Sequence, residues 1–174
     1  GEVRAAVKGG VSGALKRLHK RSGTSAVRLN RFCDELDAMR QCQDIKGVLP
    51  VLDFDVSPTG PGEPWFVMGL AQPLDKALVK KPSLTRVVEA VLSIANTLQQ
   101  MHERDYSHRD LKPENLFYYE GGWAVGDFGL VSFKGKSSVT ASGERIGPIY
   151  YIAPEMLNSA PGANGAAADV FSLA

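Results

Sequence analysis

The stretch that decides the fold is HRDLKPEN at residues 108–115, which places three basic residues, two acidic residues and an amide within eight positions. Two further motifs follow it in order, DFG at residues 127–129 and APE at residues 153–155. Any one of these tripeptides is weak evidence, because short strings recur by chance. A chance match does not explain all three motifs in this order, with a candidate hairpin between the first two.

The three motifs resemble those of the eukaryotic-type protein kinases, most closely the serine/threonine branch, and the resemblance covers nearly the whole chain. It implies an α+β, two-lobed protein-kinase-like fold with a small, β-rich lobe that contains one helix and a mainly helical large lobe. We expect the small lobe at residues 1–68, the hinge at residues 69–71 and the large lobe at residues 72–174. The large lobe would lack its later helices, so we expect a partial domain, truncated at both ends.

Four residues of the motifs carry the chemistry that the resemblance implies. Phosphoryl transfer requires mainly positioning and neutralisation of charge. Asp110 would accept the proton of the incoming hydroxyl, and Lys112 would steady the transferred phosphate as a point charge. Asn115 and Asp127 supply the hard oxygen ligands that Mg²⁺ prefers. The implied cofactors are therefore ATP and Mg²⁺.

The family fold also requires a strand lysine paired with a glutamate on the following helix. Glu35 is the expected glutamate, because it lies at the edge of the apolar face of a predicted helix. Two lysines compete for it, Lys8 and Lys16. Lys16 is favoured because the shorter gap to Glu35 needs no insertion and because it falls on the second strand of a predicted hairpin. Lys8 remains the alternative.

The choice of Lys16 places Gly1 and Val3 at the end of the glycine-rich phosphate loop of the family. Gly1 would be the last glycine of that loop, and Val3 would form an apolar lid over the adenine. The pattern Gly-x-Val is common, so only its spacing to Lys16 supports this assignment.

The remaining nucleotide contacts are implied by position in the motifs. Ala14 would line the roof of the adenine pocket, Phe117 its floor and Met68 its back. Leu70 would present backbone groups to the adenine edge, and Asp75 would reach the ribose. Ordinary core packing, or a solvated position for Asp75, is the competing interpretation of each.

Four apolar or aromatic residues fall where the family stacks its regulatory spine: Met39, Leu52, His108 and Phe128. Such a stack crosses both lobes and would couple the helix of Glu35 to the DFG loop. His108 is therefore interpreted as a packed residue rather than a general base.

Two polar residues outside the motifs complete the expected set. Asp169 resembles the aspartate that braces the catalytic loop from the start of a later helix. His102 belongs to no motif and is interpreted as solvated or structural.

The segment from Asp127 to Glu155 is the expected activation segment, and Arg109 would be the cation that receives a phosphate on it. The candidate acceptors are Ser137, Ser138, Thr140 and Ser142. Alternatively, Glu144 supplies a fixed negative charge to Arg109. Pro148 stands where serine/threonine kinases usually carry a threonine, which resembles the tyrosine kinases, whereas Lys112 favours the serine/threonine branch.

Hydrophobic periodicity predicts the main elements. Apolar residues recur at three- and four-residue steps over residues 27–42 and 83–104, as on one face of a helix. Gly9-Gly10 and Gly121-Gly122 each separate two apolar runs of strand type, which predicts two hairpins.

Composition limits the partners and the cellular location. The 174 residues are 44% hydrophobic and 22% charged, which is typical of a globular domain rather than a disordered one. The formal net charge of +1 provides no overall electrostatic attraction to nucleic acid or to an anionic membrane surface. No apolar run reaches the roughly 18 residues of a membrane span. Cys33 and Cys42 lack a metal-ligand spacing, so we expect reduced thiols and a cytoplasmic protein. The sequence is silent on the oligomeric state.

The function predicted from these features is transfer of the γ-phosphate of ATP to serine or threonine hydroxyls of protein substrates. A pseudokinase-like scaffold that binds partners without catalysis is the alternative from another class, and a small-molecule kinase is a third. Truncation at both ends would also leave this chain by itself inactive.

Overall fold

The computed structural model describes residues 2–19, 26–57, 62–133, 150–157 and 164–174. Within these ranges the chain forms a four-stranded sheet, a three-stranded sheet and helices that pack on both. The predicted mixed α+β architecture is confirmed. No helix in the same ranges is long and apolar enough to cross a membrane.

The four-stranded sheet is antiparallel, in the order β1-β2-β4-β3. Its strands are β1 (Glu2–Lys8), β2 (Val11–Arg17), β3 (Val51–Asp55) and β4 (Trp65–Gly69). The turn between β1 and β2 is made by Gly9 and Gly10, with φ angles of 58° and 82°. Glycine enters this region without a steric penalty, so the predicted first hairpin forms where two glycines meet.

Helix α1 (Ala26–Gln41) covers one face of this sheet. Its buried face includes Phe32, Leu36 and Met39, at the three- and four-residue spacing that the sequence shows. The ring of Phe32 lies 5.1 Å from that of Phe66 on β4. The same face carries the buried carboxylate of Glu35, which α1 therefore presents to the sheet.

The second half of the chain is built on one long helix and a hairpin. Its elements are β5 (Gln72–Pro73), α2 (Leu74–Ala77), α3 (Leu84–His102), a 3-10 helix (Pro113–Asn115), β6 (Leu116–Tyr119), β7 (Gly122–Val125), α4 (Pro154–Leu157) and α5 (Gly165–Leu173). Ser83 caps α3 by accepting a hydrogen bond from Arg86 N at 3.2 Å. The β6–β7 turn lies one residue before its predicted place, because Glu120 and Gly121 have the positive φ angles, 44° and 84°.

The loop between α1 and β3 joins the two halves. Val125 N donates to Gly47 O at 2.8 Å, and Leu49 N donates to Val125 O at 3.2 Å. Gly47 has a φ of 107° and lies against Thr97 of α3, so a side chain at this position would collide with that threonine. Strand β7, which leads into the DFG motif, is thereby fastened to the loop that follows α1.

The expected position of Leu52 is wrong. Its side chain is 43% exposed, whereas Met39, His108 and Phe128 are fully buried. Val51 instead packs against the core. Successive side chains of a strand point to opposite faces, so an error of one residue in the assignment moves the chosen side chain out of the core.

Candidate active site

The HRDLKPEN segment (residues 108–115) is held in place by Asp169 of α5. One carboxylate oxygen of Asp169 accepts from His108 N at 2.8 Å, and the other accepts from Arg109 N at 2.7 Å. Arg109 has a φ of 65°, a strained value for a residue with a side chain, and these bonds hold it there. His102 Nε2 donates to the same carboxylate at 2.8 Å, so His102 is structural.

Three motif residues converge beyond this brace. Lys112 Nζ lies 2.7 Å from Asp110 Oδ2. Asn115 Nδ2 donates to the backbone oxygen of Asp110 at 2.8 Å and to Oδ2 at 3.0 Å. Asp110 Oδ1 is buried and has no hydrogen-bond partner within the described part of the chain. Lys112 and Asn115 thus orient the Asp110 carboxylate through one oxygen and leave the other as an unused acceptor.

Lys16, rather than Lys8, pairs with the helix glutamate. Lys16 Nζ lies 2.5 Å from Glu35 Oε1 and 2.9 Å from Asp127 Oδ1, and its side chain is largely buried. Lys8 forms an exposed pair with Asp53 at 3.0 Å instead. The lysine on β2 therefore connects α1 with the DFG motif.

Burial and neighbouring charges shift the pKa values of Glu35, Lys16 and Asp127 in opposite directions. Burial raises the pKa of Glu35 to about 7, although the charge of Lys16 opposes the rise. Burial by itself would lower the pKa of Lys16, but the two neighbouring carboxylates raise it above its usual value. Burial would likewise raise the pKa of Asp127, yet Lys16 holds it below its ordinary range. The lysine therefore stays charged and keeps Asp127 ionised.

The DFG motif is placed by His108 and Phe128. His108 Nε2 donates to Gly126 O at 3.0 Å, and the two rings lie 5.2 Å apart in an edge-on arrangement. With Nε2 as donor, Nδ1 is free to accept from Asp110 N at 3.3 Å. Asp127 follows with a positive φ of 57°. His108 is a packed and hydrogen-bonded residue, as the sequence indicated.

A cleft of about 350 Å³ separates the first sheet from the HRDLKPEN segment. Among its lining residues are eight of the predicted site residues: Val3, Ala14, Lys16, Met68, Leu70, Asn115, Phe117 and Asp127. Gly1 lies outside the described residues. The cleft thus brings together residues that are more than a hundred positions apart in the sequence.

Asp75 does not line this cleft, contrary to expectation. It lies on the short helix α2, where its side chain is 73% exposed and its closest ionic partner is Lys76 at 3.9 Å. Neighbouring residues of a helix point in different directions, and on α2 it is Leu74 that packs against the core.

Seven lining residues were not predicted as site residues: Arg4, Ala5, Leu49, Gly69, Ala71, Pro73 and Glu114. Glu114 lies within the HRDLKPEN stretch and could have been found there. Gly69 is the neighbour of two predicted residues. Leu49 enters the cleft through its hydrogen bond to Val125, a tertiary contact for which the sequence contains no signal.

Arg109, next to Asp110 in the sequence, has a guanidinium with a hydrogen-bond donor that no described residue satisfies. Its Nε is buried without a hydrogen-bond partner in the described ranges, and its Nη2 donates to the sulfur of Met156 at 3.8 Å. Burial lowers the pKa of this guanidinium, although the charge of Asp169 opposes the shift. The candidate phosphate acceptors, Glu144 and Pro148 all lie outside the described residues.

Comparison with known proteins agrees with this geometry. The family model described as the protein kinase domain matches residues 1–174. Serine/threonine-protein kinase AfsK of Streptomyces coelicolor is 32% identical over 155 residues, which cover 82% of this chain and 18% of that protein. The AfsK of Streptomyces griseus matches to the same extent. The mitosis inhibitor protein kinase wee1 of Schizosaccharomyces pombe is 38% identical over 106 residues, or 58% of this chain and 12% of the relative. The chain thus spans less than a fifth of the length of these relatives.

Proposed function

Because this chain belongs to the protein kinase domain family, we propose that it transfers the γ-phosphoryl group of MgATP to serine or threonine hydroxyls of protein substrates. We place the small lobe at residues 1–68, the hinge at residues 69–71 and the large lobe at residues 72–174. The first sheet, which ends with β4 at Gly69, and the second sheet, which begins at Gln72, support this division.

One observation carries the proposal: Lys16 Nζ contacts both Glu35 and Asp127, while Lys112 orients the carboxylate of Asp110. A buried lysine between two carboxylates places a fixed positive charge where the phosphates of a nucleotide would lie. Phosphoryl transfer depends mainly on such preorganised charge.

In this mechanism Asp110 accepts the proton of the substrate hydroxyl through its unused oxygen, Oδ1. Lys112, bound to Oδ2, keeps the carboxylate oriented and contributes positive charge at the transferred phosphate. Asn115 and Asp127 would hold the magnesium ion, because an amide oxygen and an ionised carboxylate suit a hard cation. When bound, Mg²⁺ neutralises charge that develops on the phosphates.

The cleft supports adenine binding. Ala14, Met68 and Phe117 provide apolar walls, Val3 lies at the mouth, and the backbone of Leu70 is available to the edge of the base. Gly1, which precedes the described residues, retains its proposed role in the phosphate loop. Glu114 is a carboxylate that lines the cleft.

The preference for serine and threonine rests on Lys112 and on the relatives, which are named serine/threonine-protein kinases. Pro148 favours tyrosine, and we give Lys112 more weight because it contacts the catalytic aspartate directly. We also propose a cytoplasmic location, since both cysteines of the chain are free thiols.

The test is transfer of label from γ-labelled ATP to an array of serine, threonine and tyrosine peptides, with the chain in its natural full-length polypeptide. Asp110→Asn is the control, and we expect it to lower the rate roughly 10²- to 10⁴-fold. Label on serine or threonine that is lost in this variant supports the proposal. Nucleotide binding without transfer would favour a scaffold, label on tyrosine alone would reverse the specificity, and label on small-molecule acceptors alone would make it a small-molecule kinase.

A further inference from the structure

Tyr119, the last residue of β6, packs directly against the backbone of Gly69. A methyl group added at Gly69 would lie 2.6 Å from Cε2 and 2.7 Å from Cζ of the tyrosine ring. Carbon atoms do not approach so closely, so the ring occupies the space that a side chain at Gly69 would need. Glycine and tyrosine at these two positions are therefore sterically matched.

Gly69 is where β4 passes into the hinge. Its N–H donates to Pro50 O at 3.0 Å, and in the sheet it pairs with Gly13 of β2. Gly69 and the next residue, Leu70, both line the cleft. A shift of the backbone at Gly69 is therefore passed to Leu70, to which we have assigned the contact with the adenine edge.

Tyr119 is held from the opposite side. It pairs with Gly122 in the β6–β7 hairpin, and Phe117 of the same strand forms the floor of the cleft. Its ring also lines a separate groove of about 720 Å³, together with Pro50 and Trp123. Burial, with a hydrogen bond to Glu120, raises the pKa of its phenol.

We propose that Tyr119 is a positioning residue that sets the place of the hinge and thereby the affinity for adenine nucleotide. It lines no part of the cleft itself and acts only through Gly69. The proposal rests on the nucleotide binding assigned under the proposed function. It predicts that changes at either partner weaken nucleotide binding and that the two changes are not independent.

The experiment compares Tyr119→Ala, Gly69→Ala and their combination by the KM for ATP, by kcat and by the midpoint of thermal unfolding without nucleotide. We expect each single change to raise the KM for ATP about tenfold, with little change in kcat, since ground-state binding is what the hinge provides. Once the ring is gone, Gly69→Ala should have little further effect, because the collision that it causes no longer exists.

Two variants serve as controls. Tyr119→Phe keeps the ring and should retain the KM of the unchanged protein. Gly122→Ala places a methyl group in the same hairpin, where the nearest atom is Tyr119 O at an unstrained 3.8 Å, and should behave like the unchanged protein.

Each outcome decides the proposal. A lower unfolding midpoint with an unchanged KM for ATP would make Tyr119 merely structural. Independent effects of the two substitutions on the KM would show that Tyr119 does not position the hinge through Gly69. If Tyr119→Ala fails to fold, the comparison of Gly69→Ala with the control Gly122→Ala is sufficient. An unchanged KM for ATP in Gly69→Ala overturns the proposal. A protein that binds no ATP before any substitution would instead refute the proposed function, and this inference with it.

Discussion

His102 and Asp169 are joined by a 2.8 Å hydrogen bond, and the same carboxylate holds the backbone of His108 and Arg109. Three donors thus depend on one fully buried side chain. Because each donor left without an acceptor costs about 1–3 kcal/mol, we expect Asp169→Ala to lower the free energy of unfolding by about 3 kcal/mol or more. Urea unfolding measures this. Asp75→Ala, at an exposed carboxylate, is the control and should leave the unfolding curve unchanged.

The two candidate lysines form a matched pair for a second prediction. Lys16→Ala leaves Glu35 buried without its cation and removes the charge beside Asp127, so we expect transfer to fall at least about 10²-fold. Lys8→Ala breaks only an exposed pair with Asp53 and should change neither rate nor stability measurably. Transfer assays and thermal unfolding of both variants measure the contrast. A larger loss of transfer at Lys8 would contradict the assignment of Lys16.

Glu35 makes stability depend on pH in a definite direction. Its pKa is about 7 in the folded chain and 4.5 ordinarily, so the folded state binds the proton more tightly. The resulting stabilisation is fully present below pH 4.5 and is lost as the pH rises through about 7, a change of at most about 3 kcal/mol. Glu35→Gln cannot ionise, and its stability should vary less over this range. Urea unfolding at several pH values measures the free energy of unfolding of both proteins. Parallel dependence on pH would refute the raised pKa of Glu35.

Arg109 provides the fourth prediction. Its side chain is half-buried, and the buried Nε has no hydrogen-bond partner among the described residues, which is a costly state for a cation. If Glu144 supplies the missing charge, Glu144→Ala should lower the transfer rate, and this loss should disappear in the Arg109→Gln background. Transfer rates of the two single variants and the double variant measure the coupling. Unchanged transfer in Glu144→Ala would eliminate this hypothesis.

Local elements of this chain were predictable because their causes are local. The span of α3 follows from its apolar period and the Ser83 cap, and the first hairpin follows from the tolerance of Gly9 and Gly10 for positive φ. The motif around Asp110 was recognisable because its members lie within eight positions.

Contacts between distant segments required the tertiary structure. The sequence alone indicated the family, the catalytic loop and the preference for Lys16, because each rests on residue type and on short spacing. Only the folded chain placed Asp127 against Lys16, turned Leu52 outward, removed Asp75 from the cleft and set Tyr119 against Gly69. The physical reason is that the direction in which a side chain points depends on strand register and on the packing of segments far apart in sequence. A shift of one residue in a strand turns a side chain from the core to the solvent.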